Sequence, residues 1–154
     1  MAAYFLDSSA TVKRYLREAG TAWVINLFRP HSFNQIFVAE ITLAEVISAL
    51  ARRLRGKGVS VANYNRSVSR FRRAFDHKFF PVEINFPLIE KASYLVESYG
   101  LRGYDAVQLA AAVLTNDARI ALGASSLIFV CADNALNQAA QAEGLAVENP
   151  NNYP

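Results

Sequence analysis

The sequence predicts an α/β fold: a three-layer α/β/α sandwich around a central, mostly parallel sheet. Three observations predict it. Short runs near residues 3–6, 35–38, 79–84, 127–131 and 145–147 are apolar but for Gln35 and Glu83. Strands buried on both faces read this way, whereas strands with one wet face alternate. Stretches with apolar residues every three or four positions lie between these runs, so strand and helix alternate along the chain. The composition can fill a core, with 53% hydrophobic against 19% charged residues in a chain of 154. That length suits one domain, expected to span 1–154, and no internal repeat or linker interrupts it.

The first element is Ala3-Tyr4-Phe5-Leu6, a strand that stops at the polar Asp7-Ser8-Ser9. From 10 to about 28, Val12, Leu16, Ala19, Trp23 and Leu27 follow helical spacing; Gly20 is placed to divide the stretch and Pro30 ends it. Residues 35–38 form the second strand. The spacing predicts a helix over 41–55, stopped by Gly56 and Gly58, and another over 60–78. In the latter, Tyr64, Val68, Phe71 and Phe75 make the apolar stripe, and Arg66, Arg70 and Arg73 a separate one. A strand over 79–84 and a helix over 87–99, closed by Gly100, come next. An Ala-rich helix is expected from Asp105 to about Asn116, a strand over 127–131 and a helix over 133–143 closed by Gly144. A short strand over 145–147 precedes an irregular tail over about 149–154.

Several function classes are excluded or disfavoured. The single cysteine, Cys131, precludes an intramolecular disulfide framework and argues against a Cys/His zinc cluster. Two histidines, His31 and His77, leave little room for histidine-based catalysis. Met1–Leu6 lacks the basic start of a secretory signal, and Asp7 cuts its apolar run. The longest uncharged apolar stretch, 120–132, falls short of the roughly 20 residues that span a bilayer. A soluble, cytoplasmic protein without a membrane partner is expected.

The net charge of +3 conceals an asymmetry. Residues 52–78 hold nine Lys or Arg and one acid, Asp76, so this segment carries +8 and the remainder −5. A local positive field attracts polyanions or an acidic protein partner, although solvated helix faces account equally for single arginines.

Four acids stand in unusual positions. Asp7 follows the first strand and Asp133 follows the strand over 127–131, so a parallel sheet brings both to its carboxyl rim, where such folds bind ligands. Asp105 opens a helix, and with Gln108 has the spacing of a capping box. N-capping alone explains Asp7, Asp105 or Asp133 taken singly. Glu45 is harder to dismiss. With Ser48 it is the polar content of 43–51, an otherwise apolar helical stretch, and a lone buried carboxylate is costly unless compensated. Carboxylates with little else around them make a hard-oxygen site, suited to Mg²⁺ or Mn²⁺ rather than zinc.

The stretches that carry these acids resemble a known family. Residues 4–15, YFLDSSATVKRY, resemble the opening of a PIN-domain protein of the VapC-like toxin type. ITLAEVISAL at 41–50 resembles that family's glutamate helix, LRGYDAVQLAAA at 101–112 its third acidic motif, and FVCADNALNQAA at 129–140 its fourth. The motifs occur in the family's order and span nearly the whole chain. The resemblance implies a PIN-like fold and a Mg²⁺- or Mn²⁺-dependent ribonuclease, usually the toxin of a toxin–antitoxin pair. It implies that Asp7, Glu45, Asp105 and Asp133 form the catalytic, metal-holding pocket. Ser9 matches a small hydroxyl position that supports a water there, although helix capping explains it equally well. The implied partners are an RNA substrate, a cognate antitoxin that blocks the acidic pocket, and a second copy of the chain.

The physical chemistry agrees with that implication. A phosphodiester is anionic and resists water; a cation held by carboxylates neutralises it and activates the water, so no His, Cys or Ser nucleophile is needed. Hydrolysis of single-stranded or loop RNA to 5′-phosphate and 3′-hydroxyl ends is expected. The basic segment, with Arg66, Arg70 and Arg73, is a candidate for RNA or antitoxin, and Lys13 and Arg14 are second candidates. Tyr64, Phe71 and Phe75 are expected in a core or interface rather than stacked on bases. The rivals are a PIN-like module that binds RNA or a partner without cutting, and an RNA-processing or DNA nuclease of other biology. Two phosphotransfer folds fit poorly. A haloacid-dehalogenase-like phosphatase wants a second aspartate where Ser9 stands, and a response-regulator receiver wants an acidic pair that the first strand lacks.

Overall fold

Successive residues of β1 (Ala3–Leu6) face opposite sides of a sheet, as the period of a strand requires. Ala3 and Phe5 enter one core and Tyr4 and Leu6 another, which is why the run has no polar member. The structure is a computed structural model that describes residues 1–153. In it β2 (Gln35–Ala39), β3 (Phe80–Val82), β4 (Ile128–Val130) and β5 (Ala146–Glu148) complete the sheet in the order β3-β2-β1-β4-β5. All four pairings are parallel. Registers such as Leu6 opposite Val130 bring the carboxyl ends of the central strands level.

One face of the sheet is covered by α1 (Ser8–Thr11), α2 (Thr21–Leu27), α3 (Thr42–Arg55) and α4 (Val61–His77). The other carries α5 (Phe86–Tyr99), α6 (Gly103–Ala121) and α7 (Asn134–Ala142). These are the three layers expected. Phe71 of α4 is fully buried and meets Tyr15 edge-on at 5.1 Å and Phe75 at 5.8 Å, so the aromatic stripe is core. Among the described residues, no helix is long and apolar enough to cross a membrane.

The structure differs from the sequence expectation at several element ends. The stretch over 10–28 is α1, a single 3-10 turn at Val12–Arg14, and α2. Gly20 divides it: at φ +82° it takes a left-handed conformation, and a Cβ there would collide with Pro150. Helix α6 starts at Gly103, two residues before Asp105, and continues to Ala121, beyond the expected end at Asn116. Nothing in 117–121 breaks a helix; the stop comes at Gly123, with φ +74°. The C-terminal tail contains a 3-10 turn at Pro150–Asn152, and Tyr153 stacks on Trp23 at 4.7 Å; Pro154 lies outside the described residues.

Candidate active site

Strand β1 ends where Asp7 N–H donates to the Val130 carbonyl of β4, at 3.1 Å. Order reverses at this junction: β1 leads on one side to β2 and on the other to β4, which leaves a crevice at the carboxyl rim. Asp7 therefore stands in the crevice by topology. Its side chain is buried and caps α1, accepting from Ala10 N–H at 2.8 Å. Ser9 Oγ donates toward both carboxylate oxygens, at 2.7 and 2.9 Å, and Cys131 Sγ donates to Oδ2 at 3.0 Å. Burial nevertheless raises the carboxyl to about 6; the bonds from Cys131, Ala10 and Ser9 oppose the rise, and the charge of Glu45 adds to it.

Cys131 follows β4 and is buried. Burial, then the adjacent Asp7 charge, push its thiol far up, so it stays protonated and acts as a donor. Its sulfur in turn receives Asp133 N–H at 3.2 Å. Ser9 Oγ accepts from Ala132 N–H at 3.0 Å. These bonds tie the loop after β4 to the loop after β1. Asp133 itself is exposed and caps α7, accepting from Ala135 N–H at 2.7 Å and Leu136 N–H at 3.1 Å. Asp7 and Asp133 are thus both N-caps, and both still face the rim.

Glu45 comes from the first turn of α3. This helix is not apolar all round in its setting: Thr42, Val46 and Leu50 are buried, while Ala44 and Ser48 are exposed and Glu45 is half-buried at the cleft edge. Gln108 Nε2 donates to Glu45 Oε2 at 2.6 Å and to Thr42 Oγ1 at 2.9 Å. The capping box that the spacing of Asp105 and Gln108 allowed is therefore absent. Because α6 begins at Gly103, Asp105 lies inside its first turn, the N-cap Arg102 makes no side-chain cap, and Gln108 crosses to α3 instead. Burial raises the Glu45 carboxyl; the hydrogen bonds of Gln108 and Ser8 oppose this and the charge of Asp105 adds to it. Burial also raises Asp105, and the charge of Asp133 reinforces the effect.

The four acids therefore form a chain of coupled neighbours, Asp7 to Glu45 to Asp105 to Asp133. Among the described residues, no three Asp, Glu, His or Cys side chains converge as ligands on one point. Asp7 is fixed by four donor contacts from Ser9, Ala10 and Cys131. Glu45 and Asp105 are half-buried and Asp133 is exposed. The donor set fits a hard divalent cation in type and charge: oxygen anions that repel one another, fed by donors. A cleft of about 470 Å³ opens beside them, lined in part by Ser8, Ser9, Glu45, Ser48, Arg52 and Tyr104.

The basic candidates are placed differently. Lys13 is buried and paired with Glu18 at 3.3 Å, so it is an internal cation and not a surface one. Arg14 lies half-buried, with its guanidinium 3.9 Å from the Phe28 ring centroid. Arg66, Arg70 and Arg73 are exposed on α4, outside the lining of the cleft beside the acids. Sequence reasoning missed Gln108 and Cys131 as partners of the acids. Gln108 carried a signal, since it is a buried polar residue among the alanines of α6; Cys131 carried none.

The family model of the PIN domain matches residues 4–140. No curated protein matches the chain. Among solved structures it is similar to VapBC2 from Rickettsia felis, bound to a DNA fragment from their promoter; identity is 15%, coverage 96% of this chain and 98% of that one, and TM-score 0.63. It is similar to a toxin–antitoxin complex from Klebsiella pneumoniae, at 18% identity over 84% of this chain and 86% of that one, TM-score 0.59. FitAcB from Neisseria gonorrhoeae matches at 14% identity, 96% and 97% coverage and TM-score 0.59. Likeness at these identities is likeness of fold. The match to the family model runs from within the strand that positions Asp7 to within the helix that Asp133 caps and includes all four acids, and this chain belongs to the PIN-domain family.

Proposed function

We propose that the chain is a divalent-metal-dependent ribonuclease and the toxin half of a toxin–antitoxin pair. The observation that carries this reading is the row of Asp7, Glu45, Asp105 and Asp133 at the strand rim, two of them half-buried and one buried, with, among the described residues, no lysine or arginine in a salt bridge to any of them. Such a row is unfavourable by itself and favourable around a cation. Membership of the PIN family supports the nuclease reading. The toxin–antitoxin complex among the structural neighbours supports an antitoxin partner for this chain.

Asp7, Glu45, Asp105 and Asp133 would hold Mg²⁺ or Mn²⁺, which when bound neutralises a phosphodiester and makes water a better nucleophile. Asp7 is the fixed member, oriented by Ser9 Oγ and the Cys131 thiol. Gln108, by donating to Oε2, favours the ionised form of Glu45 against the rise that burial imposes. The cleft beside them leaves room for a strand of RNA. Assembly with a second copy of the chain belongs to the same reading.

Cleavage of a mixed, end-labelled RNA pool tests it, with Mg²⁺, Mn²⁺ or EDTA and with Asp7→Asn alongside. Cutting that needs metal and disappears in Asp7→Asn is expected. Cutting that survives both EDTA and the substitution would refute the site, and its absence in a folded, antitoxin-free sample under either metal would refute the activity.

A further inference from the structure

The cleft beside the acids does not end at Glu45. A second cavity of about 470 Å³ shares Val12, Ala49 and Arg52 with it, so the two form one groove between the 3-10 turn after α1 and the outer half of α3. Three α3 residues mark its course. Glu45, Ser48 and Arg52 occupy one helix face, and Arg52 lies seven residues, about 10.5 Å, along the axis from Glu45.

The cations along the groove differ in their partners. Lys13 and Arg53 both pair with Glu18, at 3.3 and 2.9 Å. Among the described residues, Arg52 forms no salt bridge; its Nη1 donates to Ser48 Oγ at 3.2 Å, which turns the guanidinium back toward the acids. Tyr104, next to Asp105, stands on the lip of the first cavity with its side chain largely exposed. An acidic centre flanked by an unpaired guanidinium and an unpartnered aromatic ring suits a polyanion that carries planar groups.

Resting on the nuclease reading, we propose that single-stranded RNA lies in this groove, with a phosphate flanking the cleaved bond on Arg52 and a base stacked on Tyr104. The strand follows α3 rather than crossing the Arg66, Arg70 and Arg73 face of α4. Guanidinium suits phosphate through its planar fork of donors. A stacked ring accepts any base, so Tyr104 holds the strand without reading its sequence.

The test measures affinity of a short fluorescent, mixed-sequence single-stranded RNA for the Asp7→Asn protein across a salt series, with Mg²⁺ present. Adding Arg52→Gln is expected to weaken binding about tenfold and to flatten the slope of log K against log salt by about 0.7, the value of one phosphate contact on a single strand. Arg52→Lys keeps the slope. Tyr104→Ala weakens binding by about tenfold at an unchanged slope, and Tyr104→Phe restores it. Unchanged affinity and slope in Arg52→Gln overturn the proposal, as does an effect on an acidic peptide but not on RNA. In either case, metal-dependent cutting by the wild-type chain leaves the nuclease reading standing. A parent that binds no RNA overturns the groove assignment, and a wild-type chain that also cuts none removes the nuclease reading with it.

Discussion

The acidic rim and the basic α3–α4 hairpin carry opposite charge and are built in opposite ways. The acids are drawn inward: Asp7 is buried, Glu45 and Asp105 half-buried, and each is raised by burial and by the next acid in the row. The arginines of α4 point outward, and Arg66, Arg70 and Arg73 are exposed. A solvated arginine costs the fold little. A buried carboxylate beside another carboxylate costs a great deal, and sequences retain such groups where they act. The difference teaches that unfavourable charge, rather than abundant charge, marks the site: the segment with +8 is conspicuous in the sequence, yet its α4 arginines stay solvated while the acids are drawn into the fold.

The largest break in the comparison is expected from Asp7→Asn. Cleavage should fall by more than about a hundredfold, beyond the effect typical of a residue that merely supports a ligand. The same change removes a buried charge, so the metal-free protein should become more stable, by about 1–2 kcal/mol at pH 8, as read by thermal unfolding. Gln108→Leu should come next. It keeps the volume and removes the donor to Glu45, so metal affinity should drop about 10–100-fold and the acid limb of the activity profile should move to higher pH. A purely structural role for Gln108 would lower stability without moving that limb.

The pH dependence sharpens the contrast. Asp7 ionises at about 6 in the folded chain, against an ordinary value of 3.8 in the unfolded one. The folded state therefore binds the proton more tightly. Its contribution to stability is full below about pH 3.8 and is lost as pH rises through about 6. Metal-free wild-type protein should thus lose stability relative to Asp7→Asn between pH 4 and 7, which paired unfolding curves would reveal. The smallest effect is expected from Arg66→Gln/Arg70→Gln/Arg73→Gln together: at most a few-fold weaker RNA binding, through the long-range field alone. A tenfold or greater loss would move the RNA path onto α4.

Much of this was legible in the sequence, for identifiable reasons. Asp7 declares itself by ending a run that is apolar on both faces, and Glu45 by interrupting an apolar helix stretch. Their shared rim follows from strand parallelism alone. Gln108 and Cys131 were not legible as partners, because their bonds to Glu45 and Asp7 span 63 and 124 residues of sequence. The burial of Lys13 was likewise hidden, since it depends on Glu18 folding back beside it. The start of α6 was missed because Gly103 reads as a breaker, whereas here it is the first helical residue. Local signals named the acids and the caps of Asp7 and Asp133, and only tertiary contacts named Gln108 and Cys131.

The central claim is that the acidic row is unfavourable alone and relieved by a divalent cation. Thermal unfolding of the wild-type chain and of Asp7→Asn against increasing Mn²⁺ at pH 7.5 tests it most directly, without reference to any substrate. The wild-type midpoint should climb continuously with Mn²⁺, as ligand linkage requires, while that of Asp7→Asn starts higher and stays nearly flat. A wild-type midpoint that does not respond to Mn²⁺, or that responds equally in both proteins, would contradict the claim.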